Sequence, residues 1–154
     1  MLKFAIIGAG AGGQSMAAIL TSKGYTAKLY DIDQEKIRRL RELKIIKVTG
    51  VIECEAAPAV ITDRIEEALD DVDVVMIVST TDAHRSIAYA CKPYLKDGQI
   101  VMLNPGHCGG ALEIANILRG ENGCGKDLII AEAGDLMYGC RSYEIGNILH
   151  TGLK

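Results

Sequence analysis

Lys3-Phe4-Ala5-Ile6-Ile7-Gly8-Ala9-Gly10-Ala11-Gly12-Gly13 opens the chain with an apolar run that breaks into four glycines within six residues. The short apolar run ending in Gly8 suits a strand, and Gly8, Gly10 and Gly13 satisfy G-x-G-x-x-G. Alone, six small residues make only a tight turn. Residues 14–31 supply the setting: Met16, Ala17, Ile19 and Leu20 recur at helical spacing, Gly24 closes that helix, and Ala27 to Tyr30 forms a second strand ending at Asp31. Strand, glycine turn, helix and strand make a βαβ unit. Gly8 permits the sharp turn, Gly10 lets the backbone approach a pyrophosphate, and Gly13 lets the helix pack closely. The helix N-terminus offers N–H groups and a positive dipole end to phosphate, so no lysine is needed. A P-loop would require Gly-Lys followed by Ser or Thr, which this stretch lacks.

Outward from this unit the alternation continues. Ile37, Leu40 and Leu43 mark a helix after Gln34, and Ile45 to Val48 with Val51 to Glu55 read as a small hairpin about Thr49-Gly50. Val60 to Thr62 is a strand, Ile65 to Leu69 a short helix, and Asp73 to Val78 a central strand. Ala83 to Tyr94 is a helix, Gln99 to Leu103 a strand, Ala111 to Leu118 a helix, and Leu128 to Ala131 a strand. Tyr143 to Leu149 reads as one more strand. The expected fold is α/β: a Rossmann-type, doubly wound, mainly parallel sheet with helices on both faces, in a single domain over 1–154.

Composition agrees with one compact core. The 154 residues are 49% hydrophobic, with one phenylalanine, no tryptophan and 17 glycines, so the core rests on aliphatic packing. Lys and Arg number 17 against 20 Asp and Glu, without like-charge blocks, which argues against nucleic acid as a partner. Apolar runs fall far short of the ~20 residues needed to cross a bilayer, and the N-terminus lacks secretory features; a cytoplasmic, non-membrane protein is expected. Cys54, Cys91, Cys108, Cys124 and Cys140 show no metal-ligand spacing and read as reduced thiols, with no metal site.

Candidate ligand residues cluster at strand ends. Asp31, the eighteenth residue after Gly13, sits where an acid accepts bonds from the adenosine ribose, with Ile32 beside it. That favours NAD, although Lys36, Arg38 or Arg39 could offset Asp31 and Asp33 if NADP were bound. The predicted cofactor residues are Gly8, Ala9, Gly10, Ala11, Gly12, Gly13, Asp31, Ile32, Val78, Ser79, Thr80, Asn104, Pro105 and Gly106. Thr81 or Asp82 is read as a helix N-cap before Ala83. His107, next to Cys108 in the Asn104 loop, is a candidate for substrate contact, as is Arg141 beside Cys140, because guanidinium grips carboxylate bidentately. A surface salt bridge is the alternative for Arg141. His84 is placed in the first turn of a helix and His150 at the surface or an interface.

Gly8-Ala-Gly-Ala-Gly-Gly13, Tyr30-Asp-Ile-Asp33, Asn104-Pro-Gly106 with Gly109-Gly-Ala-Leu-Glu113, and Glu132 leading to Cys140-Arg-Ser142 resemble, over nearly the whole chain, the N-terminal domain of opine dehydrogenases of the octopine/nopaline group. The resemblance implies reductive condensation of an amino acid with an α-keto acid, or its reverse, using NADH or NADPH. It places Gly8, Gly10, Gly13 and Asp31 on the cofactor, Asn104 to Gly106 beside nicotinamide, and Cys140 and Arg141 near substrate. The catalytic histidine of such enzymes belongs to a helical second domain beyond this sequence, so no catalytic residue is assigned here. Apolar surface left for that domain leads to an expectation of homodimer formation. Ketopantoate reductase-like and glycerol-3-phosphate dehydrogenase-like enzymes are the alternatives, and a stand-alone dinucleotide-sensing module is another.

Overall fold

The computed structural model describes residues 1–107 and 109–153. The chain begins with β1 (Lys3–Ile7), α1 (Ala11–Ser22), β2 (Thr26–Tyr30) and α2 (Gln34–Leu43), as the hydrophobic pattern predicts. Asp33 caps α2 by accepting from the Lys36 N–H at 3.0 Å, which fixes where the helix starts. Next come β3 (Ile46–Gly50), β4 (Cys54–Ala56), β5 (Val60–Thr62), α3 (Ile65–Leu69) and β6 (Val74–Ile77). They are followed by α4 (His84–Cys91), β7 (Ile100–Leu103), α5 (Gly110–Arg119), β8 (Ile129–Glu132), β9 (Tyr138–Glu144) and β10 (Asn147–Leu153).

Six strands form one parallel sheet in the order β5-β2-β1-β6-β7-β8. The order reverses at β1 and β6, and ligands of open α/β sheets bind beyond the strand ends at such a point. Alternate side chains of these strands feed two cores. Ala5, Ile7, Val75, Ile77, Val101 and Leu103 pack towards α3, α4 and α5. Phe4, Ile6, Val74 and Met76 pack on the other side with α1 and α2. Period-two alternation with both faces buried explains why β1 and β6 read as continuous apolar runs.

A second sheet, β4-β3-β10-β9, closes over α1. It corrects two expectations. The turn of the early hairpin lies at 51–53, and Gly50 belongs to β3 with φ +101, because a Cβ there would overlap the His150 carbonyl of β10. Tyr143 to Leu149 is not one strand: it straddles a turn at Ile145-Gly146 (Gly146 φ +83) that joins antiparallel β9 and β10. β10 then runs parallel to β3 across about a hundred residues of sequence, a pairing no local pattern encodes.

The helix read as Ala83 to Tyr94 is α4 flanked by single 3-10 turns at Thr81–Ala83 and Lys92–Tyr94. Neither Thr81 nor Asp82 caps it with a side chain. The Asp82 carboxyl is instead held below its ordinary range, first by the Thr80 hydroxyl and then by its own backbone N–H. Cys54, Cys91, Cys124 and Cys140 are free thiols, and burial pushes the Cys91 thiol up to about 12. Cys108 lies outside the described residues. Among the described residues no helix is long and apolar enough to cross a membrane.

Candidate functional site

Three glycines shape the link from β1 to α1, each in a different way. Gly8 has φ +111, and a Cβ on it would overlap the carbonyl of Val78, the residue after β6. A Cβ on Gly13 would overlap the Gly8 carbonyl oxygen, so the first turn of α1 folds back onto the glycine turn itself. Over Gly10 nothing among the described residues beyond its chain neighbours and its own helix lies within 4 Å of where a Cβ would stand, which leaves its backbone open to a bulky group. Gly10 is also the N-cap of α1 and has no side chain to occupy the first-turn N–H groups. A pyrophosphate fits this arrangement: open backbone, uncapped N–H donors and the positive end of a twelve-residue helix.

Asp31 follows β2, and its carboxylate is already partly committed. Oδ2 accepts from the Ala9 N–H at 2.7 Å and from Lys36 Nζ at 3.1 Å, while Oδ1 accepts from the Asp33 N–H at 3.0 Å. Oδ1 therefore retains acceptor capacity for a ribose hydroxyl. Of the three cations that could meet a 2′-phosphate, only Lys36 is tied to this acid. Arg38 and Arg39 both bond Glu35, lowering its carboxyl to about 2, with Arg38 the larger cause, and Arg38 also reaches Glu42 at 2.5 Å.

Two cavities flank the glycine turn and share Ser79. One, of about 210 Å³, is lined by Gly8, Tyr30, Asp31 and the apolar side chains of Ile32, Ile65, Ile87 and Ala90. The other, of about 330 Å³, is lined by Gly10, Gly12, Val78, Thr80, Asn104, Pro105 and Leu136. An apolar slot beside a carboxylate suits an adenosine, and a second slot across the phosphate turn suits a nicotinamide. Leu136 carries no signal in the sequence that would mark it for this place. It lies between β8 and β9 and stands 3.2 Å from where a Cβ on Gly12 would be, so it lies against the start of α1.

The Asn104 loop leaves β7 beside this second cavity. Asn104 is fully buried, with Nδ2 at 3.6 Å from Met16 Sδ of α1 and Oδ1 without a partner among the described residues. Gly106 lies against Glu132 at the end of β8, whose carboxylate accepts the Ala111 N–H of α5 at 2.8 Å. A side chain at residue 106 would overlap that carboxylate. Glu132 thus shapes the loop and the start of α5 together. His107 is exposed with φ +37 and lines neither cavity.

Other candidates fall elsewhere. Ala9, Ala11, Gly13 and Gly106 support the turn or the loop without lining a cavity. Cys140 and Arg141 lie on β9 and line neither: Cys140 is half-buried in the second core, with its thiol pushed up by burial, and Arg141 is exposed. Arg141 makes no salt bridge among the described residues. His84 does begin α4. It is fully buried against Gly110 of α5, neither ring nitrogen has a partner among the described residues, and burial lowers its pKa. His150 is not at the surface: it is 2% exposed, its Nε2 meets the Ser15 hydroxyl of α1, and its ring lies 4.9 Å from that of Tyr138. The inward register of β10, which no sequence periodicity announces, puts it there.

Comparison with known proteins gives a consistent picture. Residues 3–110 match the family described as NAD-dependent glycerol-3-phosphate dehydrogenase N-terminus. An opine dehydrogenase from Arthrobacter sp. (strain 1C) is 36% identical over 152 residues, 98% of this chain and 42% of that protein. A glycerol-3-phosphate dehydrogenase [NAD(P)+] from Fusobacterium nucleatum is 28% identical over 107 residues, 66% of this chain and 30% of its own length. A solved octopine dehydrogenase with NADH and pyruvate superposes with a TM-score of 0.87 at 21% identity, covering all of this chain and 41% of that one. The chain thus spans about two fifths of the opine and octopine dehydrogenases it matches. It belongs to the family of NAD-dependent glycerol-3-phosphate dehydrogenase N-terminal domains, and within that family it is an NAD-binding domain homologous to that of opine dehydrogenase.

Proposed function

We propose that this domain holds the nicotinamide dinucleotide for an opine dehydrogenase-type oxidoreductase, which joins an amino acid to an α-keto acid reductively or runs the reverse reaction. The observation that carries the reading is the pair of cavities meeting at Ser79 across an uncapped glycine turn. Gly8 to Gly13 cradle the pyrophosphate: the N–H groups of Gly8 and Ala9 are spent on Tyr30 and Asp31, and those of the uncapped first turn of α1 hold the phosphates. Asp31 and Ile32 hold the adenosine, and Val78, Ser79, Thr80 and Asn104 to Gly106 face the nicotinamide. The bound dinucleotide supplies or accepts the hydride. The residues of this chain would orient it with its reactive end beside the Asn104 loop; His107, Cys140 and Arg141, which line neither cavity, would meet substrate only from outside this site. Proton transfer to the substrate falls to a helical second domain of the whole protein.

Titrating the purified chain with NADH and with NADPH, followed by nucleotide fluorescence or calorimetry, tests the binding part. Saturable binding of at least one is expected; binding of neither overturns the proposal. The family match favours one second reading, a glycerol-3-phosphate dehydrogenase-type reaction. Assaying the whole protein with pyruvate plus amino acids against dihydroxyacetone phosphate separates the two, because only one substrate set should oxidise NADH.

A further inference from the structure

Gln14 is a polar residue in the interior of α1, yet it is only 2% exposed. Its carboxamide is used at both ends: Nε2 donates to the Ala9 carbonyl at 2.8 Å, and Oε1 accepts the Gly146 N–H at 2.8 Å. Turning the amide over would set oxygen against oxygen and N–H against N–H, so this orientation is fixed. Ala9 lies inside the glycine turn, and Gly146 lies in the turn between β9 and β10. One side chain therefore ties the phosphate turn to a hairpin 132 residues away.

The connection extends on both sides. The Ala9 N–H donates to Asp31 Oδ2, which also holds Lys36, so Ala9 joins the ribose acid through its N–H and Gln14 through its carbonyl. At the far end the Gly146 turn is seated against Leu43 of α2, whose Cδ1 lies 2.8 Å from where a Cβ on Gly146 would be. Ser15, the next residue of α1, meets His150 farther along β10. Buried polar groups bonded in series hold their geometry strictly, because a broken link leaves a buried group unpaired.

We infer that Gln14 is a positioning residue that makes the β9–β10 hairpin respond to occupancy of the dinucleotide site. The inference rests on the reading that Gly8 to Gly13 hold a dinucleotide. Ligation at the turn fixes the Ala9 peptide, the fixed carbonyl holds the Gln14 amide, and the amide holds Gly146. β9, which carries Cys140 and Arg141 and is paired with β10, is thereby held more rigidly when cofactor is present. A bolt that merely stabilised the fold would hold the hairpin equally with and without ligand.

Hydrogen exchange read by mass spectrometry, on the whole chain with and without saturating NADH, tests this. In the wild type NADH is expected to slow exchange about tenfold both at residues 8–15 and at residues 144–148. In Gln14→Met, which keeps length and loses both bonds, NADH should still protect 8–15 and should no longer protect 144–148. Gln14→Asn, one methylene too short to span the gap, gives the same readout if the methionine variant does not fold. Protection at 8–15 without protection at 144–148 in the wild type, or protection of 144–148 that survives both substitutions, overturns the coupling alone. No protection at either segment overturns the dinucleotide reading, and the coupling with it.

Discussion

The two sheets of this molecule are built on opposite terms. In the six-stranded sheet β6 is buried along its whole length, and every neighbouring pair is parallel. In the four-stranded sheet β3 alternates buried with exposed residues, β9 is exposed from Arg141 to Glu144, and β3 pairs with a strand a hundred residues later. The first is held by apolar area. The second is registered on α1 by directional bonds from Gln14 and Ser15 as well as by Val48 and Ile148. Non-directional burial can assemble a sheet, but aligning a sheet with a ligand turn takes groups that bond in one geometry only.

The contrast can be broken first at the glycine turn. Gly13→Val drives a branched side chain into the Gly8 carbonyl and should cost about 3 kcal/mol or more, lowering the melting temperature by roughly 6–12 °C and abolishing NADH binding. In the other sheet Ile148→Ala removes a side chain only 1% exposed, at about 2–3 kcal/mol by urea unfolding, and should leave NADH affinity largely intact. If Ile148→Ala abolished binding while remaining folded, the division between a ligand-holding sheet and a bracing one would fail.

Finer effects sharpen it. Lys36→Ala removes the cation beside Asp31 and should weaken NADPH binding about tenfold, or ~1.4 kcal/mol, with NADH affected about twofold at most. Equal losses for both nucleotides would show that Lys36 does not read the 2′-position. The smallest expected effect is on pH. Burial holds the His84 and His150 imidazoles below their ordinary value of 6.5, partly offset at His84 by the carboxylates of Glu113, Glu132 and Asp82. The unfolded chain therefore takes up these protons at higher pH than the folded one. Stability from this source is complete above about pH 6.5 and is lost as pH falls below it. Urea midpoints at pH 7.5 and 5.5 should show the loss, and His150→Asn should reduce it without removing the part due to His84.

Legibility in the sequence follows the same division. β1, α1, β2 and Asp31 are consecutive, and their spacing is dictated by the ligand geometry they share, so the glycine pattern and an apolar run reveal them together. The Asn104 loop is visible because Pro and Gly mark a strand end. Leu136, Gln14 and the inward face of His150 are not visible. Each takes its place from a partner more than a hundred residues away or from a loop laid across α1, and an isolated Gln or His carries no trace of that. Thr81 and Asp82 mislead for a local reason: both are good caps, but the 3-10 turn leaves the cap position to Ala83.

The parallel pairing of β3 with β10 also sets an order on assembly. Ile46 and Val48 are buried in a sheet of which one inner strand, β10, follows every strand of the main sheet in the chain. Until then the β3–β4 hairpin has an open edge beside the newly folded α1, and closing that long loop is an entropic cost met late. In chain order the nucleotide turn thus precedes the strand that braces it by more than a hundred residues. An unpaired β3 edge is the kind of surface on which strands of separate chains pair, and in the folded domain β10 covers it.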